Sequence, residues 1–259
     1  MALRDPDGGD RPRRIADRIS EAELYDGVAR VQRGASDVPI WLHLGSEAGG
    51  PVLELGAGTG RVLAPLLDAG LNAYGLEWSE ERLGLGRAKL AARGHSAERL
   101  IAGDARCWAA PWPAALVLAT FNFLALFEDP EVLRVLRSAR RNLRAGGTLA
   151  MEAQIWPPAE QNGYRWESRE VAIAVGRDVA RYREVVLQGQ GGLLRVRRLF
   201  SFDDGSTREL VQDLWIRSVP SLRSLLTRAG FEVLPEILDE RGRSPGPESR
   251  IVFMRATLA

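Results

Sequence analysis

The stretch Val52-Leu53-Glu54-Leu55-Gly56-Ala57-Gly58-Thr59-Gly60-Arg61 decides the fold. Val52–Leu55 is a short apolar strand, three alternate glycines turn the chain, and Arg61–Ala69 reads as a helix that stops at Gly70. Glycines permit a tight turn and let the backbone approach a ligand closely. A dinucleotide fingerprint, Gly-x-Gly-x-x-Gly, would need its third glycine at position 61, where Arg61 stands. The pattern present is Glu-x-Gly-x-Gly-x-Gly.

Strands and helices alternate downstream. Asn72–Leu76 is a second strand. Ser79 caps a helix that runs to Arg93 and ends at Gly94. Arg99–Ala102 and Ala115–Thr120 are the third and fourth strands, the latter a continuous apolar run of the kind buried in parallel sheets. Pro130–Leu143 is helical, and Gly146-Gly147 turns into a fifth strand, Thr148–Ala153. This alternation predicts an α/β fold with an open, mostly parallel sheet and helices on both faces. Upstream, Ile15–Arg33 and about Asp37–Ser46 read as helices. The character changes after Ile155. Glu170–Val175, Val179–Leu187, Leu193–Phe202 and Arg208–Arg217 look like strands, separated by turn signals at Gly189–Gly192 and Asp203-Asp204-Gly205. Ser218–Gly230 returns to helix, and Phe231–Leu238 and Arg250–Thr257 close as strands.

Read together, these markers resemble class I S-adenosylmethionine-dependent methyltransferases of the small-molecule type. The resemblance runs from about Tyr25 to the C-terminus and is weakest in the insertion. It implies a Rossmann-like, seven-stranded, mostly parallel sheet with helices on both faces, plus an antiparallel β insertion after strand five. The expected divisions are a disordered tail at 1–14, an N-terminal helical lid at 15–50, a core of 51–155 and 218–259, and an insertion at 156–217 that covers substrate or forms a homodimer surface. The resemblance also implies the cofactor, S-adenosyl-L-methionine. Gly56, Ala57, Gly58 and Gly60 would lie under its amino acid and ribose parts, with Glu54 in support. Glu77, at the end of strand two, matches the acid that accepts from the ribose hydroxyls, and Trp78 would pack on the adenine face. Asp104 would accept from the adenine amino group, and the backbone of Ala105 would meet the ring edge. Thr120-Phe121-Asn122-Phe123 ends strand four, beside the reactive methyl. Leu143-Arg144-Ala145-Gly146-Gly147 and Gly230-Phe231 match the family's entries to later strands.

Methyl transfer from a sulfonium is an in-line displacement, so the cofactor supplies the hard chemistry and the protein aligns the nucleophile and excludes water. No base stands out. Phe121–Phe127 carries no histidine, and the two histidines, His43 and His95, fall elsewhere. Candidate catalytic residues are Tyr25, Asn122 and Glu152, with Gln154 as a further polar neighbour. Glu152 ends strand five on the edge where open α/β sheets bind ligands; it is read as binding a cationic amine, acting as a base, or serving structure. The motif Asn/Asp-Pro-Pro-Tyr of enzymes acting on base amino groups is absent, which favours a small-molecule methyl acceptor over nucleic acid. Insertion aromatics Trp156, Tyr164, Trp166, Tyr182 and Trp215 are candidates for an acceptor pocket or a small-sheet core. Arg181, Arg183, Arg195, Arg197 and Arg198 would meet an acidic acceptor, an RNA backbone, or solvent. The expected activity is methylation of an N or O atom of a small molecule. An RNA or protein methyltransferase and a non-catalytic cofactor-binding subunit are the alternatives.

Composition narrows the rest. The 259 residues suit one large domain with an insertion. Lys+Arg is 35 and Asp+Glu 34, a net charge of +1, which argues against a nucleic-acid coat protein. Cys107, the one cysteine, can form neither an intrachain disulfide nor a cysteine-based zinc site, and no metal is expected. Lys89 is the only lysine and lacks a Gly-x-x-x-x-Gly-Lys setting, which excludes a P-loop. Without a signal-peptide core or a membrane-length apolar run, the expectation is a cytoplasmic protein.

Overall fold

The computed structural model describes residues 14–155 and 163–259. The expected tail, apart from Arg14, and Trp156 at the start of the insertion lie outside the described residues.

The glycine turn sits at the middle of a seven-stranded sheet. Strands β1 (Val52–Leu55), β2 (Ala73–Glu77), β3 (Leu100–Ala102), β4 (Ala114–Ala119) and β5 (Leu143–Gln154) are parallel, in the order β5-β4-β1-β2-β3. β11 (Phe231–Asp239) and β12 (Ile251–Leu258) complete the sheet, with β12 antiparallel to β5 and β11 at the edge. Successive side chains of a strand point to opposite faces. Leu53 and Leu55 therefore join one apolar cluster, with Val132 and Leu136 of α6 (Asp129–Asn142) and Leu222 and Leu226 of α7 (Val219–Arg228). Val52 joins the other, with Trp41 of α3 (Val38–Glu47), Leu63 and Leu66 of α4 (Leu63–Asp68), and Leu83 and Leu90 of α5 (Glu80–Ala92). Helices on both faces are thus present as expected. The sheet order reverses between β1 and β4, so a crevice opens beyond the carboxyl ends of those two strands.

One helix differs from expectation. The helix read over Ile15–Arg33 is two helices, α1 (Ile15–Arg18) and α2 (Glu21–Gln32). Ile19 is extended, and Ser20 and Glu23 form a reciprocal capping box that starts α2 afresh. Trp41 of α3 is 1% exposed and packs in the core cluster with Val52.

The insertion is an antiparallel sheet of β6 (Arg165–Glu167), β7 (Val171–Val175), β8 (Asp178–Gln188), β9 (Leu193–Ser201) and β10 (Thr207–Trp215). The three residues of β6 are all exposed, so no hydrophobic alternation announced it. Leu24 and Val28 of α2 pack with Ile173, Val175, Tyr182 and Phe200 of this sheet. α2 crosses β7 closely at Gly27, where a Cβ would stand 2.8 Å from the Ala174 carbonyl. α2 and the insertion therefore form one covering layer over the crevice. No helix among the described residues is long and apolar enough to cross a membrane.

Candidate active site

The crevice is a cleft of about 1120 Å³ bounded by the carboxyl ends of the core strands, α2 and the inner face of the insertion. Its floor is the glycine turn. Gly56, Gly58 and Gly60 have φ of 63°, 57° and 84°, in the left-handed region that only glycine adopts freely. A Cβ on Gly56 would stand 2.3 Å from the Phe123 ring. A Cβ on Gly58 would stand 3.1 Å from the Tyr25 ring. Gly56 and Gly58 are thus pressed against aromatic rings, and a side chain at either would displace one of them.

Glu77 holds the turn in place. Its Oε2 accepts from the Gly58 N–H at 2.9 Å, and its Oε1 accepts from the N–H groups of Trp78 and Ser79 at 3.0 and 2.9 Å. Carboxylate oxygens have further lone pairs for hydroxyl donors. Trp78 is 72% exposed at the cleft mouth, with the Arg106 guanidinium 6.0 Å from its ring centroid. Asp104 lines the cleft, but its carboxylate is gripped by the Arg106 guanidinium, and Arg106 also reaches Glu131 at 2.5 Å. That grip holds Asp104 below the usual carboxylate range. Ala105 lines the cleft beside it, whereas Ala57 lies buried behind the turn.

Glu54 lies beneath the turn and is 2% exposed. One oxygen accepts from the Thr120 hydroxyl at 2.8 Å; the other, Oε2, has no donor. Burial pushes its carboxyl up to about 7, with the Thr120 bond and the Arg61 charge opposing. A buried acceptor without a donor is costly unless a ligand supplies one. The glycine cradle, the anchored Glu77 and the exposed Trp78 ring together fit the cofactor that the sequence implies, with Glu54 supporting the turn from behind.

The Glu54 shift has a consequence for stability. A carboxyl whose folded pKa lies above its unfolded value stabilises fully below about 4.5 and loses that contribution as pH rises through about 7. Glu54→Gln removes the titration. Urea unfolding between pH 4 and 8 is expected to show wild-type stability falling relative to the variant by about 3 kcal/mol across that window. A constant difference between the two proteins at all pH values would show that Glu54 does not carry the titration.

Strand β4 ends in two strained residues. Phe121 and Asn122 have φ of 50° and 60°, and such conformations cost about 1–3 kcal/mol each unless the surroundings impose them. Here they are imposed. Arg61 lies 5.1 Å over the Phe121 ring, and Tyr25 meets that ring edge-on with centroids 6.3 Å apart. Asn122 Oδ1 accepts from the Gln154 N–H at 2.9 Å. Arg61 is itself fixed by Asp37 at 2.5 Å and 2.8 Å. Burial opposes ionisation of Asp37, but the Arg61 bonds prevail and keep it below the usual range. Tyr25 sits under the Arg82 guanidinium, 4.2 Å from its ring centroid. Burial raises its hydroxyl above the ordinary value.

Glu152 is 0% exposed and lines the cleft. Its Oε1 accepts from Arg33 Nη2 at 2.6 Å, and its Oε2 has no partner. Burial raises its carboxyl above the ordinary range, with the Arg33 charge opposing. Above it, Glu184 on β8 accepts from Gln32, Tyr182 and Arg198 through one oxygen.

Of the residues expected from sequence, Tyr25, Gly56, Glu77, Trp78, Asp104, Ala105, Phe121, Asn122 and Glu152 line the cleft together. Glu54 lies directly behind, and Gly58 is covered by Tyr25. Neither His43, which pairs with Glu47, nor His95, which pairs with Asp68, is in its lining. The insertion aromatics Tyr164, Trp166, Tyr182 and Trp215 do not line it either; Tyr182 is core, stacked against Phe200. Sequence reasoning missed Arg33, Arg61, Arg82, Arg106 and Glu184. Arg33, Arg61, Arg82 and Glu184 are distinguished from other charged residues only by long-range pairing, which no local pattern carries; Arg106 pairs locally with Asp104 and at long range with Glu131. Arg198 lines the cleft, whereas Arg181, Arg183, Arg195 and Arg197 pair with Asp203, Glu167, Asp213 and Glu209. No group of three His, Cys, Asp or Glu side chains suited to a metal occurs among the described residues.

Comparison with known proteins finds methyltransferases of the same fold. The family model described as a methyltransferase domain matches residues 52–147. The CcbJ methyltransferase from Streptomyces caelestis is similar at a TM-score of 0.74 and 25% identity, covering 88% of this chain and 90% of that one. CalS10, an amino pentose methyltransferase from Micromonospora echinaspora solved with S-adenosylmethionine bound, has a TM-score of 0.68 and 20% identity, covering 91% and 97%. The glycopeptide N-methyltransferase MtfA, also solved with S-adenosylmethionine, has a TM-score of 0.60 and 22% identity, covering 87% and 94%. No curated protein sequence matches the chain.

Proposed function

We propose, from the premise that this chain is a class I S-adenosylmethionine-dependent methyltransferase, that it methylates an amine of a small polar molecule. The observation that carries this reading is Glu152. It is a fully buried carboxylate in the lining of a cleft without histidine, with one oxygen on Arg33 and one without a partner. Most amines are protonated at neutral pH and must be neutral to attack. An ammonium entering the cleft meets the Glu152 carboxylate and hands it one proton, leaving a neutral amine and a neutral carboxylic acid. The raised proton affinity of Glu152 favours that transfer.

The bound cofactor supplies an electrophilic methyl and a neutral thioether leaving group. The chain's own residues do the rest. The glycine turn and Glu77 would hold the cofactor, and Trp78 at the cleft mouth would meet its adenine. Asp104, already committed to Arg106, contributes through its remaining acceptor capacity. Phe121 and Asn122, locked in a strained turn, form the wall beside the reacting centre, and Tyr25 closes over the turn and excludes water. The insertion, with Glu184 and Arg198, roofs the acceptor half of the cleft.

Two comparisons support an amine acceptor, since CalS10 is described as an amino pentose methyltransferase and MtfA as a glycopeptide N-methyltransferase. An RNA substrate is disfavoured because the outward arginines of the insertion are paired with acids.

The test is S-adenosylhomocysteine release from a panel of aminated sugars, simple primary and secondary amines, phenols and carboxylic acids. Turnover confined to amines is expected, rising with pH. Turnover confined to phenols or carboxylates would overturn the reading, and salt-sensitive methylation of RNA would replace it with the nucleic-acid alternative.

A further inference from the structure

The single lysine of the chain lies beside the cofactor cradle and has no part in the chemistry above. Lys89, on the last turn of α5, donates to Asp26 Oδ2 and, at 3.2 Å, to the Thr59 hydroxyl. The Thr59 hydroxyl in turn donates to Asp26 Oδ1. Each of the three side chains thus contacts the other two. They come from three separate elements: Asp26 from the covering helix α2, Thr59 from between Gly58 and Gly60, and Lys89 from α5. α5 comes this close to the turn because Gly86 has no side chain; a Cβ there would stand 3.2 Å from the Thr59 backbone. Asp26 directly follows Tyr25, whose ring covers Gly58.

We propose that Lys89 is a positioning residue for the cofactor: with Asp26 and Thr59 it latches α2 onto the glycine turn and so sets Tyr25 over the cradle. The inference rests on the cofactor site described above and not on the identity of the acceptor. The physical reason is the placement of charge. The Asp26 side chain is 16% exposed and Lys89 37%, so the pair is partly desolvated, and losing the cation leaves Asp26 facing only Thr59 and the more distant, exposed Arg30 at 3.5 Å. α2 is otherwise tied to the core by Glu21–Arg82 and Arg33–Glu152, near its two ends. The latch is the tie at its middle, beside Tyr25.

The test measures S-adenosylhomocysteine binding to Lys89→Met, Lys89→Arg and Asp26→Asn by calorimetry and stopped-flow dissociation, with unfolding temperatures in parallel. In Lys89→Met the dissociation constant is expected to rise roughly tenfold, at the low end of ordinary coupling between sites. Most of the change should lie in the off-rate, and Lys89→Arg should restore tight binding. In turnover assays KM for S-adenosylmethionine rises while kcat at saturation stays near wild type. A purely structural ion pair would lower the unfolding temperature and leave the off-rate unchanged, and that outcome overturns the proposal. An arm on the wild-type chain avoids any folding defect. Lys89 carries the only side-chain amine, so acylation with an activated acetate ester adds one acetyl group there, separable from the chain terminus by peptide mass analysis. S-adenosylhomocysteine should slow that reaction by holding the latch closed. Equal rates with and without it, in protein shown to bind it, would sink the latch. Failure of the wild-type chain to bind S-adenosylhomocysteine at all would count against the cofactor site itself.

Discussion

Replacing Gly58 with arginine is expected to abolish binding of S-adenosylmethionine and S-adenosylhomocysteine, with affinity falling roughly a hundredfold or more. Two effects combine. Gly58 has a φ of 57°, which costs an L-residue about 1–2 kcal/mol. Its Cβ would also stand 3.1 Å from the Tyr25 ring, and the rest of an arginine would fill the cradle that the cofactor occupies. Gly70→Ala separates the two causes. Gly70 has a φ of 76° with nothing within 4 Å of its added Cβ, so that variant bears the backbone strain and leaves the cradle empty of side chain. It should lose stability and bind the cofactor like wild type. Calorimetric titration reads both. Wild-type affinity in a folded Gly58→Arg protein would mean that the cofactor does not lie on this turn.

The second large effect is at Glu152. Glu152→Gln keeps the shape of the side chain and removes its charge and proton affinity. The kcat/KM for the best amine acceptor is expected to fall by about a hundredfold or more, within the usual range for a lost proton-transfer group. The dissociation constant of the cofactor should stay within about twofold. The wild-type pH profile should show an acid limb above the ordinary carboxylate range, because the carboxylate must be ionised to take the proton and burial raises its pKa. The variant should lose that limb. Stability should change little at neutral pH, because burial of the carboxylate outweighs its attraction to Arg33 and leaves its proton affinity raised. Arg33→Met combined with Glu152→Gln distinguishes the roles, since removing both charges should leave the protein folded and restore none of the activity. Recovery of activity in the double variant, or unchanged kcat/KM in Glu152→Gln, would reduce Glu152 to an ion-pair partner.

Legibility in the sequence followed the range of the interactions. The strand–turn–helix at Val52–Asp68 could be read because a four-residue apolar strand and three alternate glycines are local signals. The same holds for Ser79 as a helix cap, whose hydroxyl accepts from Arg82 N. The insertion strands β7 to β10 were legible from period-two alternation and hairpin turns, whereas β6, exposed throughout, carried no such signal. The break at Ile19–Ser20 was missed because the apolar spacing continues across it, although Ser20 and Glu23 hold the capping-box spacing that starts a new helix there.

The sequence by itself determined the order of elements, the glycine cradle, the acids at the ends of β1 and β2 and the candidate at the end of β5. Each of these depends on local backbone chemistry or on residue type at the end of a strand. Only the tertiary structure decided what those residues face. It put Arg33 on Glu152 across 119 positions of chain, Arg106 on Glu131, and α2 against the insertion as well as α5. It also made the chain's one lysine a neighbour of the glycine turn. Charge pairs of this kind have no periodicity and no preferred spacing. Their partners are set by which elements the packed apolar faces bring together, and that is a property of the whole fold.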